Sequence, residues 1–512
     1  LDASHADDFR EGDIKVSATA ISKQLGGYSA ADASVKVAST LKGGNIALNS
    51  NAVAVVDPSL LGSLFDSAAV KADILKMKNE NGWSDEEAWK KIIGDIMGPI
   101  TGIGSLSNPD QLKALGADPA DLSELSALIP FLAVSIGHAD SKIEVLDGAD
   151  LHASQKLLVK ADSTRTVTTE SFSIPLVQSL IPFNAGMAFG RISGTTSVEV
   201  KSGATLKGEQ GIALQAHSQN TLTVESEATN GHDAEGKQAT TTGFAFAMAN
   251  TGLTTSAKVN SGALLNTRGD VSLLALTEQA IRNKAVFKSL GNGAAGGAVL
   301  ALSVLNSNTQ AAFNANLSGA RHLDVSATNL ISRQQNEATS QAGKGLADFL
   351  KFRAIGTVDP IKNYVLSKFK DVNPTQPTDS KFRLAASLGL VVSDQQAEAS
   401  IGQSTQLNLS GNLGLTALQE IRELHNLVNS TVNGSKRGED QNDYSLSMAV
   451  AIATLNQGTR ALVGDGAQIT AQRIGLGAQY IQPLSLGGFD RWSSLSDIGK
   501  NMMSLGGWPS DL

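Results

Sequence analysis

The chain has 512 residues, 50 glycines, 12 prolines, 4% aromatics, no cysteine and a net charge of −8. The absence of cysteine excludes a disulfide framework and any thiolate metal or redox site. The acidic balance argues against nucleic-acid binding through a basic face. Charged residues, at 18%, fall below the roughly 25% of ordinary globular chains, while glycine exceeds the usual ~7%.

Taken in chain order, residues 1–58 read as the first rungs of a repeat array. The start at Leu1-Asp2-Ala3, with no initiator Met and no signal peptide, is expected of a processed product or an excised fragment. Residues 59–130 read as a helical insertion. Trp83-Ser84-Asp85-Glu86-Glu87 has the form of a capping box, with Ser84 at the N-cap and Glu87 reaching back from N3. Trp89, Ile92, Ile93 and Ile96 then follow the i, i+3, i+4, i+7 stripe of an amphipathic helix. Asn108-Pro109 and Asp118-Pro119 mark two more helix starts.

From 131 to 342, and again from 381 to 488, a unit recurs. It opens with a large residue alternating with a very small one: Leu132-Ala-Val-Ser-Ile-Gly137, Met187-Ala-Phe-Gly190, Phe244-Ala-Phe-Ala-Met-Ala249, Leu300-Ala-Leu-Ser-Val304, Leu388-Gly-Leu-Val-Val-Ser393 and Met448-Ala-Val-Ala-Ile-Ala453. A second strand-like run follows, such as Lys142-Ile-Glu-Val145, then a Gly-Ala turn and a third run such as Gly211-Ile-Ala-Leu-Gln-Ala216. The turns at Gly148, Gly203, Gly262 and Gly319 recur at intervals of 55, 59 and 57 residues. The next turn is expected near Ser404-Thr405, which has lost its glycine, and the last at Gly466. The long interval before Ser404 is accounted for by residues 343–380, a second helical insertion carrying Leu346, Phe349, Leu350 and Phe352. Residues 489–512 read as a C-terminal helical segment.

Period-2 runs of four to seven residues, separated by Gly, Asn, Ser or Asp, are half-buried strands joined by turns. Without helices between them, they point to an all-β solenoid, a right-handed parallel β-helix with α-helical insertions. At ~20–25 residues per rung, a unit of about 57 residues would be two to three rungs. The large face of each opening strand is expected to point into the solenoid. The small face (Ala245, Ala247, Ala249, Ala449, Ala451 and Ala453) is expected to be a packing face, covered by the inserted helices or by another chain.

No constellation for catalysis, cofactor binding or metal binding emerges. The seven histidines (His5, His138, His152, His217, His232, His322, His425) form no HxxxH or HExxH pair. Gly291-Asn-Gly-Ala-Ala-Gly-Gly297 lacks the Gly-Lys-Ser/Thr ending of a phosphate loop. Asp7, Asp8 and Asp13 show no cation-ligand spacing, and 436–440 reads as a solvated loop. Ala294–Leu305, the best apolar stretch, is too short to span a bilayer as a helix, so no transmembrane helix is expected.

Ala257-Lys-Val-Asn-Ser-Gly-Ala-Leu-Leu265 with Gly269-Asp-Val-Ser-Leu-Leu-Ala275, and again Ala461-Leu-Val-Gly-Asp-Gly-Ala-Gln-Ile469, resemble the repeats of very large bacterial exoproteins. These are the filamentous-haemagglutinin-like adhesins and leukotoxin-family filamentous adhesins. The resemblance covers roughly 131–341 and 382–482. It implies secretion to the surface of a Gram-negative bacterium through an outer-membrane secretion apparatus. It also implies service as a rigid stalk and contact surface for cell adhesion or fibre assembly. The partners would be a host or neighbouring-cell receptor, or the rod itself, and the chain is expected not to be an enzyme. The rival readings are a pore-forming or leukotoxin-type exotoxin, and a polysaccharide lyase or hydrolase on a β-helix.

Overall fold

The computed structural model describes residues 12–24, 27–57, 132–173, 183–230, 241–289, 295–342, 382–432 and 444–482. All secondary structure among them is strand. A lone strand β1 (Ile14–Gln24) is followed by seven repeats, six of three strands and one, the sixth, of four, one of its strands being split in two. They are β2 (Gly27–Val37), β3 (Thr40–Gly43) and β4 (Ile46–Val56); β5 (Leu132–Val145), β6 (Asp150–Ala153) and β7 (Lys156–Ser173); β8 (Phe183–Val200), β9 (Thr205–Gly208) and β10 (Gly211–Asn230). The array continues with β11 (Thr241–Val259), β12 (Leu264–Asn266) and β13 (Asp270–Ser289), then β14 (Ala295–Phe313), β15 (Leu317–Ser318) and β16 (Leu323–Ala342). It closes with β17 (Phe382–Ile401), β18 (Gln406–Asn408), β19 (Asn412–Ile421) and β20 (Leu424–Val432), then β21 (Tyr444–Val463), β22 (Gln468–Thr470) and β23 (Arg473–Ile481).

Each strand pairs in parallel with the corresponding strand of the next repeat, giving three stacked sheets. Sheet A runs β1-β4-β7-β10-β13-β16-β19-β23, with β20 also on β16; sheet B runs β2-β5-β8-β11-β14-β17-β21; sheet C runs β3-β6-β9-β12-β15-β18-β22. This is a parallel β-helix, as the sequence pattern predicts. Two expectations are corrected. Each unit of about 57 residues is one rung, not two to three. The strands of sheets A and B reach 20 residues, because the opening and second runs of a unit are one strand, as in β11. The helical insertions at 59–130 and 343–380 and the segment 489–512 lie outside the described residues.

The corner from sheet B to sheet C explains the Gly-Ala signature. Gly148, Gly203, Gly262 and Gly466 adopt φ of 75°, 78°, 84° and 73° there, and the alanines after the first three are buried in the core. Ser404 takes the same place with φ 54°, as expected from the spacing; it is the one non-glycine residue with positive φ among those described. Gly319 belongs elsewhere, at the corner between β15 and β16. In that rung the B-to-C corner is Asn314-Ala315-Asn316, two residues shorter, with Ala315 fully buried in place of Ala263.

The long strands divide the cross-section into two halves. In the first, the start of each A strand, the end of each B strand and the short C strand enclose a three-sided core. Columns such as Leu157–Ile212–Val271–Leu323–Leu413, Val145–Val200–Val259 and Leu151–Leu206–Leu265–Leu317–Leu407 fill it. In the second, the ends of the A strands lie directly on the starts of the B strands as a two-sheet wing. Its core pairs large residues of sheet A (Val167, Leu222, Val224, Ile281, Phe287) with small residues of sheet B (Ala188, Ala245, Ala247, Ala249, Ala301). The fit is close: a Cβ on Gly190 would meet Val224 Cγ2 at 2.4 Å, and one on Gly297 would meet the Phe287 ring at 2.0 Å.

A polar seam separates the two cores. Ser141 donates to Ser50 (2.9 Å), Thr277 to Thr255 (2.7 Å), and Gln279 to Asn329 (3.0 Å) and Gln395 (2.9 Å). A second ladder, Asn283–Asn336–Asn426, runs through the wing with bonds of 2.8 and 2.9 Å. Stacked rungs bring amide side chains to the same height, so they bond along the axis, although Gln279 Oε1, Asn283 Oδ1 and Gln395 Nε2 stay without a partner.

Candidate functional surface

The wing reverses the expected orientation of the opening strands. Ala245, Ala247 and Ala249 are fully buried and face the interior, while Phe244, Phe246 and Met248 point outward and are half-buried. Ala449, Ala451 and Ala453 pair with Ser387, Gly389 and Val391, all buried, so they occupy the same inward columns on the last rung, where they are exposed. The reason is spatial: where Ala188, Ala245, Ala247, Ala249 and Ala301 face Leu222, Val224, Ile281 and Phe287, two sheets in face contact leave room for large side chains from only one of them, and sheet A supplies those.

The outer face of sheet B in the wing is consequently apolar. Register aligns Val134, Phe189, Met248, Leu302, Leu390 and Ile452 in one column. Met187, Phe246, Leu300, Leu388 and Val450 form the next. Phe244 stacks beside Phe246, with ring centroids 6.3 Å apart and planes 10° from parallel. Exposure is 41% at Val134, 37% at Met187 and 51% at Ile452. Continuous outward apolar patches are the kind of surface that marks interaction sites on many proteins.

All long connections leave from one place. Segments 57–131, 174–182, 231–240, 290–294, 343–381 and 433–443 each join the end of an A strand to the start of a B strand, and those strand ends lie at the wing tip beside this stripe. Solenoids commonly gather insertions on one face.

Next to the seam is a distorted site centred on Arg165, 1% exposed inside the solenoid. Its guanidinium donates to Ser163 (3.0 Å), Ser218 (2.8 Å), Asn220 (3.0 Å) and the Ala139 carbonyl. Turning that carbonyl inward opens the β5–β8 ladder, whose register skips from His138 to Ser141. Gly194 sits opposite with φ 138°, where a Cβ would meet Ala139 O at 2.1 Å. The freed Thr195 N–H donates to Asp140 Oδ1 at 2.7 Å. Burial pulls the Arg165 guanidinium down to about 10, opposed by the Asp140 charge. It stays cationic at neutral pH.

On the outside of this break, His138 lies between carboxylates. Its Nε2 is 3.4 Å from Asp140 and 3.9 Å from Asp32, and its Nδ1 is 3.1 Å from Ser193 Oγ. Asp32, His138 and Asp140 are close enough to share a cation. Both Asp140 oxygens are already engaged, however, by the Thr195 N–H and the Lys142 ammonium. Desolvation pushes the Asp140 carboxyl up, but these bonds together with the Lys142 and His138 charges hold it below its ordinary value. The arrangement is a salt-linked cluster that compensates the buried arginine.

Sheet A carries a second cluster. His217 Nδ1 is 3.6 Å from Asp162 and Nε2 is 3.2 Å from Glu278, over a shallow depression lined by Asn49, Asn51, Lys160 and Gln219. The bond to Asp162 raises the His217 pKa against desolvation, with Glu278 adding to it. Near the wing tip, desolvation pushes the Glu227 carboxyl up to about 8, against the pull of Lys288 and Lys284. Its Oε1 is buried without a hydrogen-bond partner.

Of the remaining residues noted from sequence, Asp13 is a corner residue that accepts from the Asn45 N–H at 2.6 Å. His322 Nδ1 accepts from the Asn412 N–H at 2.8 Å, and His425 lies 3.1 Å from Glu423. Asp7, Asp8, His5, His232 and 436–440 lie outside the described residues. The seam and the arginine escaped sequence reasoning, although a signal existed in the run Ser218-Gln-Asn-Thr221 between two aliphatic stretches of one strand. Comparison with protein-family models, curated proteins and solved structures finds no match to this chain.

Proposed function

We propose that the chain is a contact-bearing segment of a large secreted or surface-anchored bacterial exoprotein, serving cell adhesion or surface-fibre assembly. The observation that carries this reading is the arrangement of the wing. Its apolar outer face and the strand ends that its long connections join lie together along one edge of a rigid stack. Backbone ladders between every pair of rungs make such a stack stiff and additive in stability. The residue repeats quoted for the filamentous adhesins support the same class.

The emphasis falls on contact rather than reach. One rung of about 57 residues advances the axis by only ~4.8 Å, whereas a 20-residue strand is about 66 Å long. The shape is a broad slab with wide faces. Secretion across the envelope of a Gram-negative bacterium, and a cell-surface receptor as partner, belong to this proposal.

The test is adhesion of beads coated with the full chain to cultured epithelial cells and to bacterial cells, against albumin-coated beads. Binding above the control is expected, and it should fall when residues 343–381 are replaced by a short Gly/Ser linker. Beads no stickier than albumin would overturn the reading. So would release of oligosaccharides from polyuronate or dye leakage from liposomes, which favour a lyase and a toxin respectively.

A further inference from the structure

We propose that Ser193 is the nucleophile, and His138 the base, of an acyl-transfer site for small carboxylic esters on the outer face of sheet B. The proposal does not rest on the adhesive reading.

Strand register builds the site. Ala30, His138, Ser193 and Gly252 stand in one outward column across β2, β5, β8 and β11. Asp32 and Asp140 stand two residues further along β2 and β5. The imidazole is thus held between a hydroxyl and two carboxylates. Its Nδ1 meets Ser193 Oγ at 3.1 Å, and its Nε2 faces Asp140 at 3.4 Å and Asp32 at 3.9 Å. Carboxylates beside Nε2 favour the tautomer with its proton there, which leaves Nδ1 bare to accept from the Ser193 hydroxyl. Asp140 is itself fixed by the Thr195 N–H at 2.7 Å and by Lys142. Nucleophile, base and orienting carboxylate in this sequence of contacts activate a serine on any fold.

The flanks leave room for a substrate. Ala30 and Gly252 border the pair with only a methyl group and a hydrogen. Within 4 Å, a Cβ on Gly252 would meet only the Arg191 guanidinium, at 3.9 Å. Gly252 lies one strand spacing, ~4.8 Å, from Ser193. The Arg191 cation therefore stands over the open flank of the hydroxyl, where the carbonyl oxygen of a bound ester gathers negative charge. Ser193 and His138 are half-buried, so solvent reaches both.

The reaction follows from these contacts. Ser193 Oγ bonds to the carbonyl carbon as its proton passes to His138 Nδ1. The adduct collapses by breaking the bond from that carbon to the alcohol oxygen, and the alcohol leaves with the proton. Water then adds to the acyl-serine by the same route, which releases the carboxylic acid and restores the hydroxyl.

The test incubates the full chain with an alkyl fluorophosphonate, which phosphonylates activated serines with loss of fluoride, and separately with p-nitrophenyl acetate. A single phosphonyl group is expected, located at Ser193 by peptide mass spectrometry, with p-nitrophenol released faster than in buffer. Ser193→Ala should abolish both. His138→Gln should slow both about a hundredfold, with the strand signal in circular dichroism retained. Arg191→Gln should lower kcat/KM about tenfold, and an unchanged value removes the guanidinium from the site. Asp140 acts through His138, so Asp140→Asn should lower kcat about tenfold or more with KM unchanged. A loss confined to KM contradicts that positioning role. A parent chain that takes no phosphonyl group overturns the proposal. So does labelling spread over other serines, or labelling of Ser193 that persists at the parent rate in H138Q.

Discussion

The three-sided half and the two-sheet wing of this solenoid are built from the same strands but obey different packing rules. In the three-sided half every sheet sends aliphatic side chains to a common axis, and Ile143, Val145, Leu151, Leu157 and Val159 are all fully or almost fully buried. In the wing, large residues of sheet A such as Leu222, Val224 and Phe287 meet a sheet B that sends mostly alanine, glycine and serine, with Ile192, Leu253, Val299 and Leu305 as its larger members. A narrow interior forces the large side chains of sheet B outward, which turns a packing constraint into an apolar exterior. Core and surface chemistry are therefore coupled in the wing and independent in the other half.

The sharpest way to break this distinction is a charge on the small face. Ala247→Glu places a carboxylate where no side chain beyond Cβ fits, and should cost more than about 4 kcal/mol. Asn250→Glu, three residues along the same strand and facing outward, should change stability by less than about 1 kcal/mol. Urea midpoints of the two variants measure the contrast, and equal small effects would mean that the alanine face is not internal.

The wing also holds the buried acid Glu227, so its stability depends on pH. The folded-state pKa is raised from 4.5 to about 8. The associated stability is fully present below the unfolded value and is lost as pH rises through about 8. Glu227→Gln should remove this loss, leaving the variant more stable than the parent by roughly 4–5 kcal/mol at pH 8–9 and nearly equal to it below pH 4.5. Urea titrations across that range check the sign, and a parent chain that gains stability toward alkaline pH contradicts it.

The smallest expected effect sits at the corner of the three-sided half. Ser404 holds φ 54° where neighbouring rungs use glycine. A left-handed non-glycine residue costs roughly 1–2 kcal/mol, and glycine returns part of that as unfolded-chain entropy. Ser404→Gly should raise the unfolding free energy by about 0.5–1 kcal/mol, read as a shift of the thermal midpoint.

The three-sided half was largely legible in the sequence. In Lys142-Ile-Glu-Val145 the charged residues mark the outside unambiguously, and Ile143 and Val145 are indeed internal. The Gly-Ala corner announces itself because only glycine takes its backbone cheaply. The wing was not legible. In Phe244-Ala-Phe-Ala-Met-Ala249 neither face is charged, so period 2 fixes two faces without saying which is inside. Rung length was hidden for a related reason. The seam places Ser218 and Asn220 in mid-strand, where a run of polar residues resembles a boundary and one 20-residue strand reads as separate short ones. Arg165 was invisible because its partners outside its own strand come from two other strands, β5 and β10, far away in sequence.

The claim that each unit is a single rung can be tested by distance. Glu199, Lys258, Ala312, Ser400 and Leu462 occupy one column through successive strands of sheet B. Spin labels at Glu199→Cys and Leu462→Cys, in a chain with no other cysteine, report their separation by pulsed electron paramagnetic resonance. Four strand spacings predict about 19 Å between backbones, broadened by the label arms. A separation of about 40 Å or more, as two or three rungs per unit would give, contradicts the one-rung arrangement and the wing built on it.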